Sequence, residues 1–257
     1  MPTIDQYTLA TVPIETYFGA TKLAMGTAFV CEKDGNFYLI TNWHNLSGKD
    51  PNTGKHLSKT LAEPDRMTVW WNLKGQMASK FSAAVLIRDP TTNRPLWRVH
   101  PVHGNKVDVV ALPITPLSTA EMYPINGMQS ESLLIQIGMD VYILGYPYGM
   151  GLVGLPVWKR GSIATEPELV GIAPAPLYML VDTASRPGMS GSPVIRRSWA
   201  IHLPKSGGTS VGNPIATELV GIYSGRIAST DPLDAELGMV WPVPLIWEIL
   251  AAGKQDV

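Results

Sequence analysis

The sequence predicts an all-β fold of two six-stranded antiparallel barrels followed by a C-terminal helix. The first observation is composition: Gly and Pro supply 24 and 22 of the 257 residues, too many for long uninterrupted helices. The second is that short strand-like runs recur between turn residues along most of the chain. The third is that a helical pattern with start and stop residues occurs at the C-terminus. Hydrophobic residues make up 45% of the chain, which is enough for a large core and excludes general disorder.

The first strands form a predicted hairpin. Residues 24–32 and 36–41 are apolar runs joined by Lys33-Asp34-Gly35, and an Asp-Gly pair between apolar runs indicates a tight turn. The final helix is predicted at residues 244–252, because Pro244 stands at its start and Gly253 follows its end. Between them, strands are predicted at residues 67–73, 81–87, 107–114, 141–146, 157–165, 178–181, 192–195, 217–224 and 238–243.

Two polar stretches, residues 47–66 and 196–213, interrupt the strands and are predicted to be surface loops. The strand pattern lapses near residues 117–129. We therefore predict an N-terminal barrel at residues 1–120, and a C-terminal barrel with its helix at residues 121–257.

Charge and composition exclude several functional classes. The 20 Lys and Arg residues balance 21 Asp and Glu residues, so no basic field for nucleic acid is present. No run approaches the roughly 18 apolar residues of a membrane span. Residues 1–19 have neither a basic leader nor a long apolar run, and we expect a cytoplasmic protein without a signal peptide. The single cysteine, Cys31, excludes an intrachain disulfide, and no cluster of potential ligands predicts a metal or other cofactor.

The segment at residues 188–193 (GMSGSP) indicates chemistry. Glycines around Ser190 permit a tight turn that exposes the hydroxyl and lets backbone N–H groups converge, as an acyl-transfer oxyanion requires. A serine hydroxyl needs a histidine base, and the base needs an acid to hold it. After Ser190 the chain has His202 but no intervening Asp or Glu, which excludes the Ser, acid, His order of α/β-hydrolases.

The order His, Asp, Ser remains, because the subtilisin order belongs to an α/β fold that this strand pattern does not support. His44 follows the predicted hairpin and Asp108 opens an apolar strand, with Asp65 and Asp89 as alternative acids. These segments, in this order, resemble the trypsin-like, chymotrypsin-fold serine proteases. The resemblance is to disulfide-free bacterial branches, the Htr-type stress proteases and the glutamyl endopeptidases. Residues 138–149 (GMDVYILGYPYG) and 219–225 (LVGIYSG) extend it over roughly residues 26–251.

The resemblance implies a serine endopeptidase that cleaves proteins or peptides through an acyl-enzyme. Ser190 would be the nucleophile, His44 its base and Asp108 the acid that orients the base, while the N–H groups of Gly188 and Ser190 would form the oxyanion hole. The alternative is a catalytically inactive binding module of the same fold. Met189 stands where animal enzymes have the Asp that pairs with a new N-terminus. We therefore expect control by an activating protein partner or by the loops at residues 147–155 and 196–213.

The resemblance also implies a primary substrate pocket. Ala184 at its floor offers no carboxylate to a substrate Lys or Arg, so we expect a neutral pocket for a small or medium apolar residue. The runner-up is an acidic residue held by Arg226, since the histidine that glutamyl endopeptidases use is replaced by Tyr223. The implied pocket residues are Ala184, Ser185, Tyr223, Ser224, Gly225 and Arg226.

Overall fold

The chain folds into two antiparallel sheets. The computed structural model describes residues 3–149, 151, 154–184, 186–226 and 236–257, with the side chain of Arg226 outside the description. The first sheet contains β1 (Thr11–Phe18), β2 (Thr21–Lys33), β3 (Asn36–Thr41), β4 (Arg66–Leu73), β5 (Lys80–Leu86), β6 (Arg98–Val99), β7 (Val110–Ile114), β8 (Ala120–Glu121) and β15 (Lys254–Gln255). The second contains β9 (Asp140–Gly145), β10 (Val157–Ile163), β11 (Met179–Asp182), β12 (Pro193–His202), β13 (Ser210–Arg226) and β14 (Leu237–Pro242). The α-helices are α1 (Gln6–Ala10), α2 (Trp43–Ser47) and α3 (Val243–Ala252).

The two sheets close to different extents. The second is a closed barrel in the order β10-β11-β14-β13-β12-β9, which confirms the expected six-stranded barrel. The first runs β15-β6-β7-β3-β2-β1-β4-β5, with β8 on β4, and its end strands are not joined across the described residues. It has nine strands rather than six, because the two-residue strands β6, β8 and β15 add to six longer ones. The predicted all-β class and C-terminal helix are thus confirmed.

The predicted first hairpin is present as β2 and β3. Its turn residues Asp34 and Gly35 have φ values of 52° and 76°, the positive values that a tight turn between right-twisted strands requires. The register pairs Val30 with Leu39, and both side chains are buried in the core of the first sheet. The turn therefore delivers the end of β3 directly into α2, the helix that carries His44.

The prediction of a loop at residues 196–213 is wrong for most of its length. Strands β12 and β13 pair there, from Pro193 opposite Ile222 to His202 opposite Ser210. The turn at residues 203–209, with positive φ at Gly207 and Gly208, joins the two strands, and the pairing is interrupted by a register shift between Trp199 and Ile201. Backbone pairing between the strands satisfies the main-chain polar groups even where the side chains face solvent. The glycine-rich composition therefore indicates the turn but not the paired strands β12 and β13 on either side of it.

A shared apolar cluster joins the two sheets. Phe29 and Ile40 come from the first sheet, whereas Leu144 and Ile222 come from the second, and all are buried. Helix α3 covers the same cluster with Ile246 and neighbouring apolar residues. Because one core contains side chains from both sheets, their relative placement is fixed by packing, and the cleft between them is held at a defined width.

The segment after α3 returns to the first sheet. Strand β15 pairs with β6, and the Asp256 carboxylate accepts hydrogen bonds from the indole N–H groups of Trp43 at 2.7 Å and Trp97 at 2.9 Å. Both tryptophans are buried, so these bonds satisfy donors that otherwise lack solvent. Trp43 precedes His44 in α2, which places this carboxylate directly behind the helix of the histidine.

Candidate active site

His44 lies at the start of a short helix immediately after β3. Asn42 precedes the helix and donates from Nδ2 to the backbone carbonyl of Asp108 at 2.7 Å. The left-handed Gly48, with φ of 69°, ends the helix. The His44 ring is therefore presented from a rigid turn whose backbone is bonded to the segment that carries Asp108.

Asp108 is fully buried two residues before β7. Its Oδ1 accepts the backbone N–H of His44 at 2.9 Å, and its Oδ2 contacts His44 Nδ1 at 2.6 Å. The hydroxyl of Ser224, on β13 of the second sheet, also donates to Oδ2. A buried carboxylate is tolerated only when such partners replace its water, and here both sheets supply them.

The environment of His44 raises its pKa above the ordinary 6.5. Burial by itself would lower the pKa of the imidazole. The negative charge of Asp108 and the hydrogen bond to its carboxylate act in the opposite direction, and the charge of Asp50 adds to them. Their sum outweighs burial, because an adjacent carboxylate stabilises the imidazolium form.

Ser190 stands in the turn before β12, where the two sheets meet. Its carbonyl accepts the backbone N–H of Thr27 at 2.8 Å and the Asn45 side-chain amide at 3.3 Å. A Cβ added to Gly225 would lie 3.6 Å from the Ser190 hydroxyl oxygen, so β13 borders the hydroxyl closely. Among the described residues Ser190 Oγ makes no hydrogen bond. The hydrogen bond between a serine nucleophile and its histidine base is commonly long before substrate binds.

The amides of Gly188 and Ser190 have no hydrogen-bond acceptor among the described residues. The carbonyl of Pro187 accepts the N–H of Tyr148 at 2.6 Å. Across a trans peptide the carbonyl and the next N–H point in opposite directions, so the Gly188 N–H points away from Tyr148. The Thr27 hydroxyl completes the arrangement by donating to the Gly188 carbonyl at 2.8 Å.

The structure does not bring the alternative acids to His44. Asp89 accepts hydrogen bonds within its own turn from Thr91 and Thr92, and Asp65 accepts the N–H of Gly19 at 2.8 Å. Asp108 is the carboxylate bonded to the imidazole. The choice of Asp108 over these two acids therefore agrees with the geometry.

The implied primary pocket is narrow in the structure. Ala184, Met189 and Tyr223 border a gap that has no room for a water molecule, and the Tyr223 ring packs so closely on Gly238 that an added Cβ there would lie 2.2 Å from it. Ser224 turns its hydroxyl to Asp108. Ser185 and the side chain of Arg226 lie outside the described residues.

Sequence reasoning missed three residues around the site. Thr27 donates its N–H to the Ser190 carbonyl, and the Asn45 side-chain amide donates to the same carbonyl. Lys159 borders the implied primary pocket. The pKa of Lys159 is lowered by burial and by the charge of Arg186, against an opposing effect of Glu236. Only the pairing of strands reveals these positions, because each contacts residues that are far away in sequence.

A model of the trypsin-like peptidase domain family matches residues 26–201, which is more than half of the chain. The match includes His44, Asp108 and Ser190. The chain belongs to this family.

A comparison with solved structures matches bacterial proteases, and the Yersinia protease shares the fold. The serine endoprotease from Yersinia pestis is 17% identical, with a TM-score of 0.52 over 98% of this chain and 66% of that chain. This chain thus spans just under two thirds of the Yersinia protein. The Rv3671c protease of M. tuberculosis, in its active form, is 19% identical, with a TM-score of 0.48 over 98% of this chain and 84% of that chain. At these identities the likeness shows the fold alone.

A search of curated protein sequences found no match.

Among the described residues, no helix is both long and apolar enough to cross a membrane. Cys31, as expected for a small apolar residue, is buried, and burial raises the pKa of its thiol.

The glycine after Ser190, Gly191, is predicted to be essential because any side chain there would clash with a neighbouring backbone, in addition to the strain of its positive φ. Gly191 has φ of 89° and Gly207 has φ of 90°, so an alanine at either position suffers a strain of about 1–2 kcal/mol. A Cβ at Gly191 would lie 1.9 Å from the Thr27 carbonyl oxygen, whereas Gly207 has open space. We expect Gly191→Ala to lower peptidase activity on the order of 10²-fold or more, since the nucleophile turn must move.

Gly207→Ala is the matched control, with the same strain and no clash. It should retain activity and lose only a few degrees in thermal unfolding. Equal losses of activity in the two variants, measured by peptide hydrolysis, would contradict the steric explanation.

Proposed function

We propose that the chain is a serine endopeptidase in which Ser190, His44 and Asp108 form the catalytic triad. The observation that carries the proposal is the buried Asp108 carboxylate, which accepts both the ring and the backbone N–H of His44. Hydrogen bonding of Nδ1 to a carboxylate places the ring proton there and leaves Nε2 as the acceptor. That tautomer is the one that removes a proton from a serine hydroxyl.

The chemistry proceeds in two balanced steps. In the first, Ser190 Oγ attacks the scissile carbonyl, its proton passes to His44 Nε2, and collapse of the tetrahedral intermediate sends that proton to the leaving amine. In the second, water attacks the carbonyl of the acyl-enzyme and gives a proton to His44. When this tetrahedral intermediate collapses, His44 passes the proton to Ser190 Oγ and the carboxylic acid product leaves. The Gly188 and Ser190 amides are directed at the oxyanion, and one such donor contributes roughly 3–4 kcal/mol to the transition state.

The alternative is an inactive binding module. A module of this fold has no need for a histidine bonded to a buried carboxylate, nor for two unpaired amides beside a serine. Both are kept here, which favours the enzyme. An esterase would use the same residues and differ only in its substrate.

Control by an activating partner is also a proposal. The direction of the Gly188 amide depends on the Tyr148 N–H, and Tyr148 has φ of 55°. Non-glycine residues pay energy for this conformation. A partner that held Tyr148 in this conformation would therefore keep the Pro187 carbonyl in place and the Gly188 amide directed at the oxyanion.

The decisive test of the proposal is labelling with a fluorophosphonate, which reacts with activated serine hydroxyls. We expect labelling of the wild-type chain, none in Ser190→Ala, and turnover on the order of 10⁴ lower in Asp108→Asn, because the amide favours the wrong imidazole tautomer. Asp34→Asn, on the exposed hairpin turn, is the control and should behave as wild type. Labelling that appears only after addition of cell extract supports an activating partner. Absence of labelling under both conditions supports the binding module.

The pH dependence follows from the raised pKa of His44. The base works only when neutral, so activity should rise with pH and reach half of its maximum above pH 6.5. Asp50→Asn removes one of the charges that raise this pKa and should move the midpoint to lower pH. Rates of peptide hydrolysis between pH 5 and 9 measure both midpoints. A flat profile would argue against His44 as the base.

The narrow pocket at Ala184 supports a small apolar residue before the scissile bond. The Tyr223 ring closes its inner end, and the described lining has no carboxylate for Lys or Arg. Cleavage of a peptide library should therefore favour Ala, Val or similar residues there. Frequent cleavage after Lys or Arg would overturn this expectation. Frequent cleavage after Asp or Glu, lost in Lys159→Met or Arg226→Ala, would establish the acidic runner-up.

A further inference from the structure

A second cavity lies beside the nucleophile turn and holds a lysine that the proposed chemistry does not use. It has a volume of about 260 Å³ and is lined by Met25, Trp70, Lys80, Tyr146 and Glu15, among others. Met25 is two residues before Thr27, whose N–H donates a hydrogen bond to the Ser190 carbonyl. Two residues of an extended strand span about 7 Å, so the cavity opens about two substrate residues away from the nucleophile.

The cavity lies on the leaving-group side of the proposed site. The implied primary pocket, at Ala184 and Gly225, occupies one side of Ser190. The Ser190 turn is also contacted by Thr27 on β2, and the turn at Tyr146–Gly149 packs against Gly188 and lies close to Met25, since an added Cβ on Gly149 would lie 3.3 Å from Met25 Sδ. We infer that a peptide with its acyl residue at Ala184 leaves past Met25, toward the cavity.

Lys80 is the cationic side chain in the lining of this cavity. Its ammonium donates to Asn72 Oδ1 at 3.0 Å, and no ion pair to it is found within the described part of the chain. Burial lowers the pKa of Lys80 to about 8, so the group is still largely protonated at neutral pH.

The carboxylate of Glu15 also lines the cavity, but it is already engaged. It pairs with the Lys22 ammonium and accepts the Tyr17 hydroxyl at 2.5 Å. The charge of Lys80 is therefore left for a group that enters from outside. An ammonium held among apolar walls binds a carboxylate more strongly than it binds a neutral amide, because a charge-assisted hydrogen bond replaces lost hydration.

We propose that this cavity is a leaving-group subsite that selects Asp or Glu about two residues after the scissile bond, with Lys80 as its specificity-determining residue. The proposal rests on the peptidase function proposed above. It names the substrate class as peptides with an acidic residue on the side that departs with the new amine. Asn72 holds the ammonium in place while the walls formed by Met25 and Trp70 receive the methylene part of the side chain.

Library cleavage by the full chain is the first test. We expect cut sites to carry Asp or Glu at the second or third residue after the bond about tenfold more often than Asn or Gln. Lys80→Met should abolish this preference and leave cleavage of neutral peptides unchanged, whereas Lys80→Arg should keep part of it. Lys74→Met removes the same charge from an exposed position on the β4–β5 hairpin and is the control. Equal enrichment in wild type and Lys80→Met, or equal loss in Lys74→Met, would overturn the inference.

A binding test separates this inference from the proposed function. Fluorescent peptides with free amino termini, Ala-Glu-Ala-Ala and Ala-Gln-Ala-Ala, and their counterparts with the variable residue third, are titrated by anisotropy into the Ser190→Ala chain. One Glu peptide should bind about tenfold more tightly than its Gln partner, and only when Lys80 is present. If peptides bind in this way without any wild-type cleavage, the proposed function fails, and the cavity stands as an acid-selective peptide-binding site rather than as a leaving-group subsite. If cleavage occurs and neither assay discriminates Glu from Gln, the subsite fails and the function stands.

Discussion

The contact between Thr27 and the turn of Ser190 is the constraint on which the site depends. Thr27 donates its N–H to the Ser190 carbonyl, its hydroxyl donates to the Gly188 carbonyl, and its own carbonyl lies against Gly191. The proposed nucleophile belongs to the second sheet, while His44 and Asp108 belong to the first. One residue in the middle of β2 thus aligns a turn of the second sheet with the first sheet, which carries His44 and Asp108. Because backbone atoms form most of these contacts, few side-chain changes elsewhere can disturb them.

The buried carboxylate of Asp108 is the second link between the sheets. Three donors surround it, two from His44 and one from Ser224 on β13. A carboxylate without water is stable only when all of them are in place, so the ion favours the single arrangement in which β13 lies against the segment before β7. The full set of hydrogen bonds around Asp108, which orients the imidazole, therefore forms only when the two sheets are correctly docked.

Sequence reasoning reached what local chemistry determines. The Asp34-Gly35 turn and the C-terminal helix followed from patterns within a few residues, and the six-stranded second barrel followed from the number of strand-like runs. The assignment of His44, Asp108 and Ser190, which follows from the chemistry that serine requires and from the family resemblance, stays a prediction. The rest arises from pairing between distant segments. Residues 196–213 appear loop-like because their side chains face solvent, yet backbone pairing builds a ribbon from them. Strand β1 was not predicted, and its pairing with β2 and β4 is what gives Lys80 and Met25 a common cavity.

The return of the C-terminal segment to the first sheet has a consequence for the order of folding. Strand β6 gains its partner β15, and the indoles of Trp43 and Trp97 gain their acceptor in Asp256, only after residues 254–256 have been made. On the ribosome the first sheet must therefore wait for the second before it is complete. Until then α2, which carries His44, lacks its support from behind. Helix α2 thus acquires the support behind it late, together with residues 254–256 and long after the helix itself has been synthesised.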